Sequence, residues 1–219
     1  MTETLFIEAR RKINPTDINL NPLDKLPGKT ISLASTIQYL DLIPKIKKHL
    51  EKQGKKVIIK QGAKHQAHVL GCQSQAFDKS ADTLLLLADG RFHAINNALQ
   101  LQSPIYIYNT KTLEQITKQE IEEENKKTKA KLNKFFTYNI IGIIQSTKPG
   151  QKALYNRIGD IKQKIEQKGK KTYVFECNTI NINELENFPN VELWINTACP
   201  GLARDSNSIV NLCDVEEFL

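Results

Sequence analysis

The sequence predicts an α/β fold of two similar doubly wound units with largely parallel strands, related by internal duplication. Three observations predict it. Short β-branched or Leu-rich runs alternate with segments of helical periodicity along most of the 219 residues. One run, Thr83-Leu-Leu-Leu-Leu-Ala88, is apolar without interruption, as a strand buried on both faces of a parallel sheet must be. The same succession then occurs twice: a strand, a helix ending at glycine (Gly54, Gly169), a strand opening on lysine (Lys56, Lys171), and a later strand with a polar loop.

Residues 1–28 read as an arm. The short apolar run Leu5-Phe-Ile-Glu-Ala9 leads into a connector rich in Asn and Pro, ending at Leu26-Pro27-Gly28. Residues 29–110 form the first unit. Strand Thr30–Ser35 precedes a helix over about 42–53, where Leu42, Ile43, Ile46 and Leu50 share one face and Gly54 supplies the stop. Strand Lys56–Lys60 follows, then a polar loop with His65 and His68, both read as surface residues. After Val69-Leu-Gly-Cys72 the pattern gives a short helix near 74–79, the strand from Thr83, the turn Asp89-Gly90, a helix over Phe92–Leu101 and strand Pro104–Tyr108. Residues 111–136 are expected as a connecting element, with one charged helix over 113–132 whose glutamates precede its lysines. Residues 137–219 form the second unit: strand 138–144, loop Ser146–Gln151, a helix over 152–168 with Ile158, Ile161 and Ile165 on one face, strand 171–175, a short helix near 183–187, and the strand running into Cys199-Pro200-Gly201.

Composition excludes several classes. Hydrophobic residues make up 40% of the chain, and no apolar run reaches the roughly 18 residues of a membrane span. The opening residues lack the basic-then-apolar pattern of a secretory signal, so a cytoplasmic location is expected. The net charge of +7 is carried mostly by lysines spread over helix faces such as Lys45, Lys47 and Lys48. Arginine clusters with interleaved aromatics, the mark of a nucleic-acid groove, are missing. The four cysteines, Cys72, Cys177, Cys199 and Cys213, contain no CxxC pair and no zinc-finger spacing, and a disulfide framework is not expected in a reducing compartment.

Two of these thiols stand in loop frames. Pro200-Gly201 stops the strand before Cys199, and Gly71 precedes Cys72, so both thiols lie where an open α/β sheet places its chemistry. Soft thiolates select zinc or an iron–sulfur cluster. Taken alone, a buried structural cysteine is the simpler reading of either, and it is the reading adopted for Cys177 and Cys213. Ser146, Thr147, Lys148, Pro149, Gly150 and Gln151 lie between a strand and a helix, where free amides and Lys148 suit an anionic group; a plain turn is the alternative. Asp89, Gly90 and His93 form a second polar loop, with His93 equally readable as a helix-capping residue.

In order, the segments Leu5–Arg10, Ser35-Thr-Ile-Gln38, Val69–Cys72, Ala88–His93, Ser146–Gln151, Asn187-Phe-Pro189 and Asn196–Pro200 resemble the diphthamide-biosynthesis enzymes, the archaeal 2-(3-amino-3-carboxypropyl)histidine synthase family. The resemblance covers essentially the whole chain. It implies three similar α/β units, each giving one cysteine to a 4Fe-4S cluster whose open iron binds S-adenosylmethionine. The 3-amino-3-carboxypropyl radical released from S-adenosylmethionine is then added to a histidine of translation elongation factor 2. On matching positions Cys72 and Cys199 are the cluster ligands of the second and third units, and the loops 146–151 and 89–93 help to hold S-adenosylmethionine.

Two departures accompany the match. The first unit and its cysteine are missing, so a separate partner chain is expected to supply them, with Leu5–Ala9 as an edge strand at the junction and the complex forming a dimer. After Cys199-Pro200 the family has Arg and later Asp-Asp, whereas Gly201 and Asp205-Ser206 stand here. An accessory subunit that supports a partner's cluster or docks the elongation factor is the alternative, and Cys177 or Cys213 could replace the missing ligand.

Overall fold

The computed structural model describes residues 5–151 and 156–219, and the chain divides into two units, Met1–Glu123 and Glu124–Leu219. In the first, β1 (Thr30–Ser35) runs parallel to both β2 (Lys56–Ile58) and β3 (Thr83–Leu87). β4 (Ile105–Tyr108) extends the sheet in parallel, and β5 (Leu113–Ile116) closes it antiparallel, giving the order β2-β1-β3-β4-β5.

The leucine run explains why both faces are covered. Side chains alternate across a strand, so Leu84 and Leu86 pack with Ala94, Ala98 and Leu101 of α2 (Phe92–Leu101), while Leu85 and Leu87 pack with Ile43, Ile46 and Leu50 of α1 (Ile43–Lys52). All five residues of β3 are buried. Full burial of each such leucine stabilises the fold by about 1.5–3 kcal/mol before entropy is counted.

The second unit repeats the plan. β6 (Ile140–Ser146) lies between β7 (Lys171–Cys177) and β8 (Leu193–Asn196), β9 (Ile209–Asn211) follows, all pairs are parallel, and the order is β7-β6-β8-β9. α4 (Ile158–Gln167) buries the expected Ile158, Ile161 and Ile165 against Ile141, Ile143, Leu193 and Ile195. On the other face Trp194 lies over Gly142, where an added Cβ would come within 2.5 Å of the indole. The chain ends in the short helix α5 (Leu212–Val215).

The two units share smaller devices. Asp82, one residue before β3, accepts hydrogen bonds from the N–H groups of Lys29 and Thr30 (both 2.8 Å) at the start of β1. Glu192, one residue before β8, does the same for Asn139 and Ile140 (2.7 and 2.8 Å) at the start of β6. Lys55 follows Gly54 and donates to the carbonyls of Leu26 and Gly28; Lys170 follows Gly169 and donates to those of Phe136 and Tyr138. Gly54 and Gly169 both have positive φ, +78° and +80°, as helix-terminating glycines require.

Several local expectations change. Residues 113–116 are strand β5, not the start of the connecting helix. The helix, α3 (Lys118–Thr137), begins after Thr117, whose Oγ1 accepts from the Glu120 N–H while the Glu120 carboxylate accepts from the Thr117 N–H (2.8 Å), a reciprocal capping box. Residues 74–79 form turns, held by Asp78 N–H donating to Ser32 Oγ. α4 starts at Ile158; residues 152–155, expected as its first turn, lie outside the described residues. No helix among the described residues is long and apolar enough to cross a membrane.

Candidate metal centre

In the first unit the backbone after β2 returns alongside the carboxyl end of β1: Ser35 N–H donates to Ala67, and Val69 N–H donates to Ser35 (2.9 Å). That pairing buries His68, which is only 5% exposed and so is not the surface residue expected. Burial holds its imidazole below the usual histidine range. His65 stays at the surface and pairs with Glu8 of the arm at 2.6 Å.

Immediately beyond, Leu70-Gly71-Cys72-Gln73 makes a tight turn closed by Gln73 N–H donating to Leu70 O at 3.2 Å. α2 grips this turn. Asn97 Nδ2 donates to Leu70 O at 3.0 Å and to His93 O at 2.7 Å, and Gln100 Nε2 donates to Gly71 O at 3.2 Å. Gly71 lies so close to the helix that a Cβ would sit 3.1 Å from both Asn96 Nδ2 and Phe92 Cε1. The result is an exposed Cys72 on a fixed turn.

The same helix carries the second predicted loop. His93 is in its first turn, half-buried, its imidazole pushed down by burial and its ring edge-on to Phe92. Asp89 is exposed and paired to Arg11 at 2.8 Å; the same Arg11 nitrogen donates to Tyr39 Oη at 2.5 Å. Burial, and then the neighbouring Asp89 carboxylate, push the Tyr39 phenol up to about 12. Gly90 adopts φ +72°, a left-handed backbone natural to glycine. α2 thus joins Asp89, Gly90 and His93 to the Cys72 turn in one structure.

In the second unit Ser146 ends β6, buried, its Oγ accepting from Lys148 N–H at 3.2 Å. Thr147 N–H donates to Cys177 O at 2.9 Å. Lys148-Pro149-Gly150-Gln151 is a Pro-Gly turn closed by Gln151 N–H to Lys148 O at 3.0 Å, with Gly150 at φ +86° and Lys148 exposed. The first turn of α4 therefore does not begin at Gln151, and of the N–H groups of residues 147–151 only that of Gly150 is without an acceptor among the described residues, Pro149 having none.

Cys199 is half-buried at the start of the 3-10 turn Pro200–Asp205. Asn196 fixes it: Nδ2 donates to Cys199 O and to Asn211 Oδ1, both at 2.8 Å, and Oδ1 accepts from Ala198 N–H at 3.0 Å. Thr197 Oγ1 anchors the same segment to Ile144 O at 2.8 Å.

The remaining cysteines differ. Burial, then Glu184 and Glu176, push the Cys177 thiol up, and desolvation of the sulfur, then the Asp214 carboxylate beside it, push that of Cys213 up to about 11 although the residue as a whole is exposed. Both shifts disfavour the thiolate a metal needs. Cys213, expected as a buried hydrophobe, is on an exposed residue, and Cys177 is half-buried. Among the described residues no three His, Cys, Asp or Glu side chains gather into a metal site.

A family model described as putative diphthamide synthesis protein matches residues 1–209. The chain belongs to this diphthamide synthesis family. Among curated members, 2-(3-amino-3-carboxypropyl)histidine synthase subunit 1 of Neurospora crassa is 30% identical, the match covering 82% of this chain and 41% of that protein. The Pyrococcus horikoshii 2-(3-amino-3-carboxypropyl)histidine synthase is 25% identical over 92% of this chain and 60% of its own length. The chain thus spans roughly half the length of the diphthamide synthesis proteins it matches. The fold agrees: a crystal structure of Dph2 from Pyrococcus horikoshii superposes with a TM-score of 0.78 at 25% identity, covering 91% of this chain and 59% of that one. Another, of the same Dph2 with a 4Fe-4S cluster, gives 0.77. The family and fold class expected from sequence are both established.

The residues here fit such a group in their donor chemistry. Cys72 is an accessible thiol on a clamped turn, Cys199 a half-exposed one on another, and Gly71 lets the backbone lie flat on α2 beside a buried amide nitrogen of Asn96 that has no hydrogen-bond partner among the described residues.

The asparagines and glutamine that hold both thiols escaped the sequence reading. A polar residue on the apolar Ala94–Ala98–Leu101 face was the available signal for Asn97.

Proposed function

We propose that this chain is part of a 4Fe-4S 2-(3-amino-3-carboxypropyl)histidine synthase of diphthamide biosynthesis, using S-adenosylmethionine to modify a histidine of elongation factor 2. The family match carries the reading. Its structural support is that two accessible thiols each follow a strand region in separately braced loops. Cys72 and Cys199 are the ligands that residues 1–219 contribute, and the third thiolate comes from outside them. Relatives named as subunits 1 and 2 support a multi-chain enzyme.

When bound, the cluster supplies the electron that cleaves a carbon–sulfur bond of S-adenosylmethionine. The chain's own residues bind and orient. The Lys148–Gln151 turn presents the Gly150 N–H and an exposed cation to the carboxylate of the methionine moiety. The Asp89–His93 loop offers a polar wall in which Arg11 holds Asp89 in place. His93, kept neutral by burial, is available as a hydrogen-bond donor or acceptor without adding charge.

The accessory-subunit reading keeps one specific feature: Gly201, buried, and Ser206, whose Oγ pairs with that of Ser208 at 2.9 Å, stand where the resemblance leads one to expect charged residues. Anaerobic iron–sulfur reconstitution separates the two. A 4Fe-4S spectrum by ultraviolet–visible absorption and electron paramagnetic resonance is expected when this chain is mixed with a first-unit chain, and is lost with Cys72→Ala or Cys199→Ala. Absence of a cluster in the mixture would move the assignment to the accessory role; loss of the cluster from Cys177→Ala would overturn the ligand set.

A further inference from the structure

Three polar side chains of α2 face the Cys72 turn, and only two are used by it. Asn97 and Gln100 spend their amide donors on the carbonyls of Leu70 and Gly71. Asn96 does not. Its residue is 6% exposed, and its Nδ2 is buried with no hydrogen-bond partner among the described residues. It lies directly beneath the turn, 3.1 Å from where a Gly71 Cβ would be.

A desolvated amide donor without an acceptor is a net cost to the fold, and an apolar side chain of similar shape would avoid it. The position makes sense if the acceptor belongs to the group held by Cys72. Thiolate and sulfide sulfurs accept N–H donors, and such bonds raise the reduction potential of an iron–sulfur centre by favouring the more negatively charged, reduced form.

We infer that Asn96 is a positioning residue of the metal centre, its side-chain N–H directed to the sulfurs of the iron–sulfur group on Cys72, which it steadies and tunes. This rests on the cluster reading above. The geometry accounts for Gly71 as well, since a Cβ there would crowd the amide at 3.1 Å.

The experiment pairs two measurements on Asn96→Leu, with Asn96→Ser as a variant that keeps a shorter donor. In the cluster-free full chain, the melting temperature of Asn96→Leu should equal or exceed that of the unsubstituted protein, because a buried unpaired donor has been removed. In the reconstituted mixture with the first-unit chain, redox titration should give a more negative potential for Asn96→Leu and faster bleaching in air, with Asn96→Ser in between. A lower melting temperature for the cluster-free Asn96→Leu chain would show a purely structural role and overturn the inference. So would a loaded Asn96→Leu with unchanged potential and bleaching, which leaves the cluster reading standing. Failure of the unsubstituted mixture to take up any cluster overturns both.

Discussion

At the scale of single residues, Cys72 and Cys199 stand on turns that amide side chains brace. Asn196 is 2% exposed and ties Cys199, Ala198 and β9 together through three hydrogen bonds. Asn196→Ala strands a half-buried carbonyl and a half-buried N–H, so it should lower unfolding free energy by about 1 kcal/mol or more in a urea titration. It should also weaken cluster retention in the mixture more than the stability loss alone accounts for, since Cys199 loses its anchor. Equal cluster retention would show that Pro200 and Thr197 suffice. Cys72 and Cys199 were legible from sequence because Gly and Pro-Gly punctuate the chain beside them. Asn96, Asn97, Gln100 and Asn196 were not, because an amide side chain can bond to almost any backbone group. For Asn97 and Gln100 the partner on the Cys72 turn is decided by packing between segments 27 and 29 residues apart.

At the scale of elements, strands and helices with a single unambiguous period came through: β1, β3 and α2 match the sequence reading closely. The stretch 113–137 did not. Its charges suit a helix throughout, but Ile116 is buried beside β4 and Thr117-Lys-Gln-Glu120 is a helix-start signature that puts the boundary there. Glu120 also pairs with Arg91, at the start of α2. Glu120→Ala should therefore cost about 1 kcal/mol, of the size of a lost cap, measured by thermal or urea unfolding; a loss near zero would mean that Lys118 and Gln119 start the helix unaided. In the second unit Gly142→Ala drives a methyl into Trp194, itself packed edge-on to Phe175 with centroids 4.6 Å apart. A cost of about 1–3 kcal/mol is expected, together with a shift in indole emission. No periodicity argument reveals this, because the glycine's neighbour lies on another strand.

At the scale of the whole molecule, the duplication was visible as a repeated order of elements, and the repeated Asp82 and Glu192 braces give it a physical form that sequence spacing does not show. Those braces also make stability depend on pH, unequally in the two units. In the first, hydrogen bonds from Thr30 and Lys29 hold the Asp82 carboxyl below the usual carboxylate range. Glu8, Asp24, Asp78 and Glu120 are lowered too, chiefly by His65, His49, Ser80 and Thr117 respectively. In the second, Glu192 is lowered by Ile140 and Asn139, but burial raises Asp214. A carboxyl whose folded pKa is depressed contributes stability that is present above its unfolded value and lost as pH falls through the folded one; a raised carboxyl acts in the opposite direction. Acidification below about pH 4 should thus weaken the first unit more than the second. Glu8, Asp24 and Asp82 are exposed residues and Asp78 and Glu120 half-exposed, so added salt should shrink the difference. The chain has one tryptophan, Trp194, and it lies in the second unit. On acid titration at low salt, far-ultraviolet circular dichroism, which sees both units, should begin to fall before Trp194 emission moves. Asp82→Asn, which keeps an acceptor but does not titrate, should bring the two curves closer together. Coincident curves in the unsubstituted protein would mean that the two units unfold as one and that their separate carboxylates do not set the order.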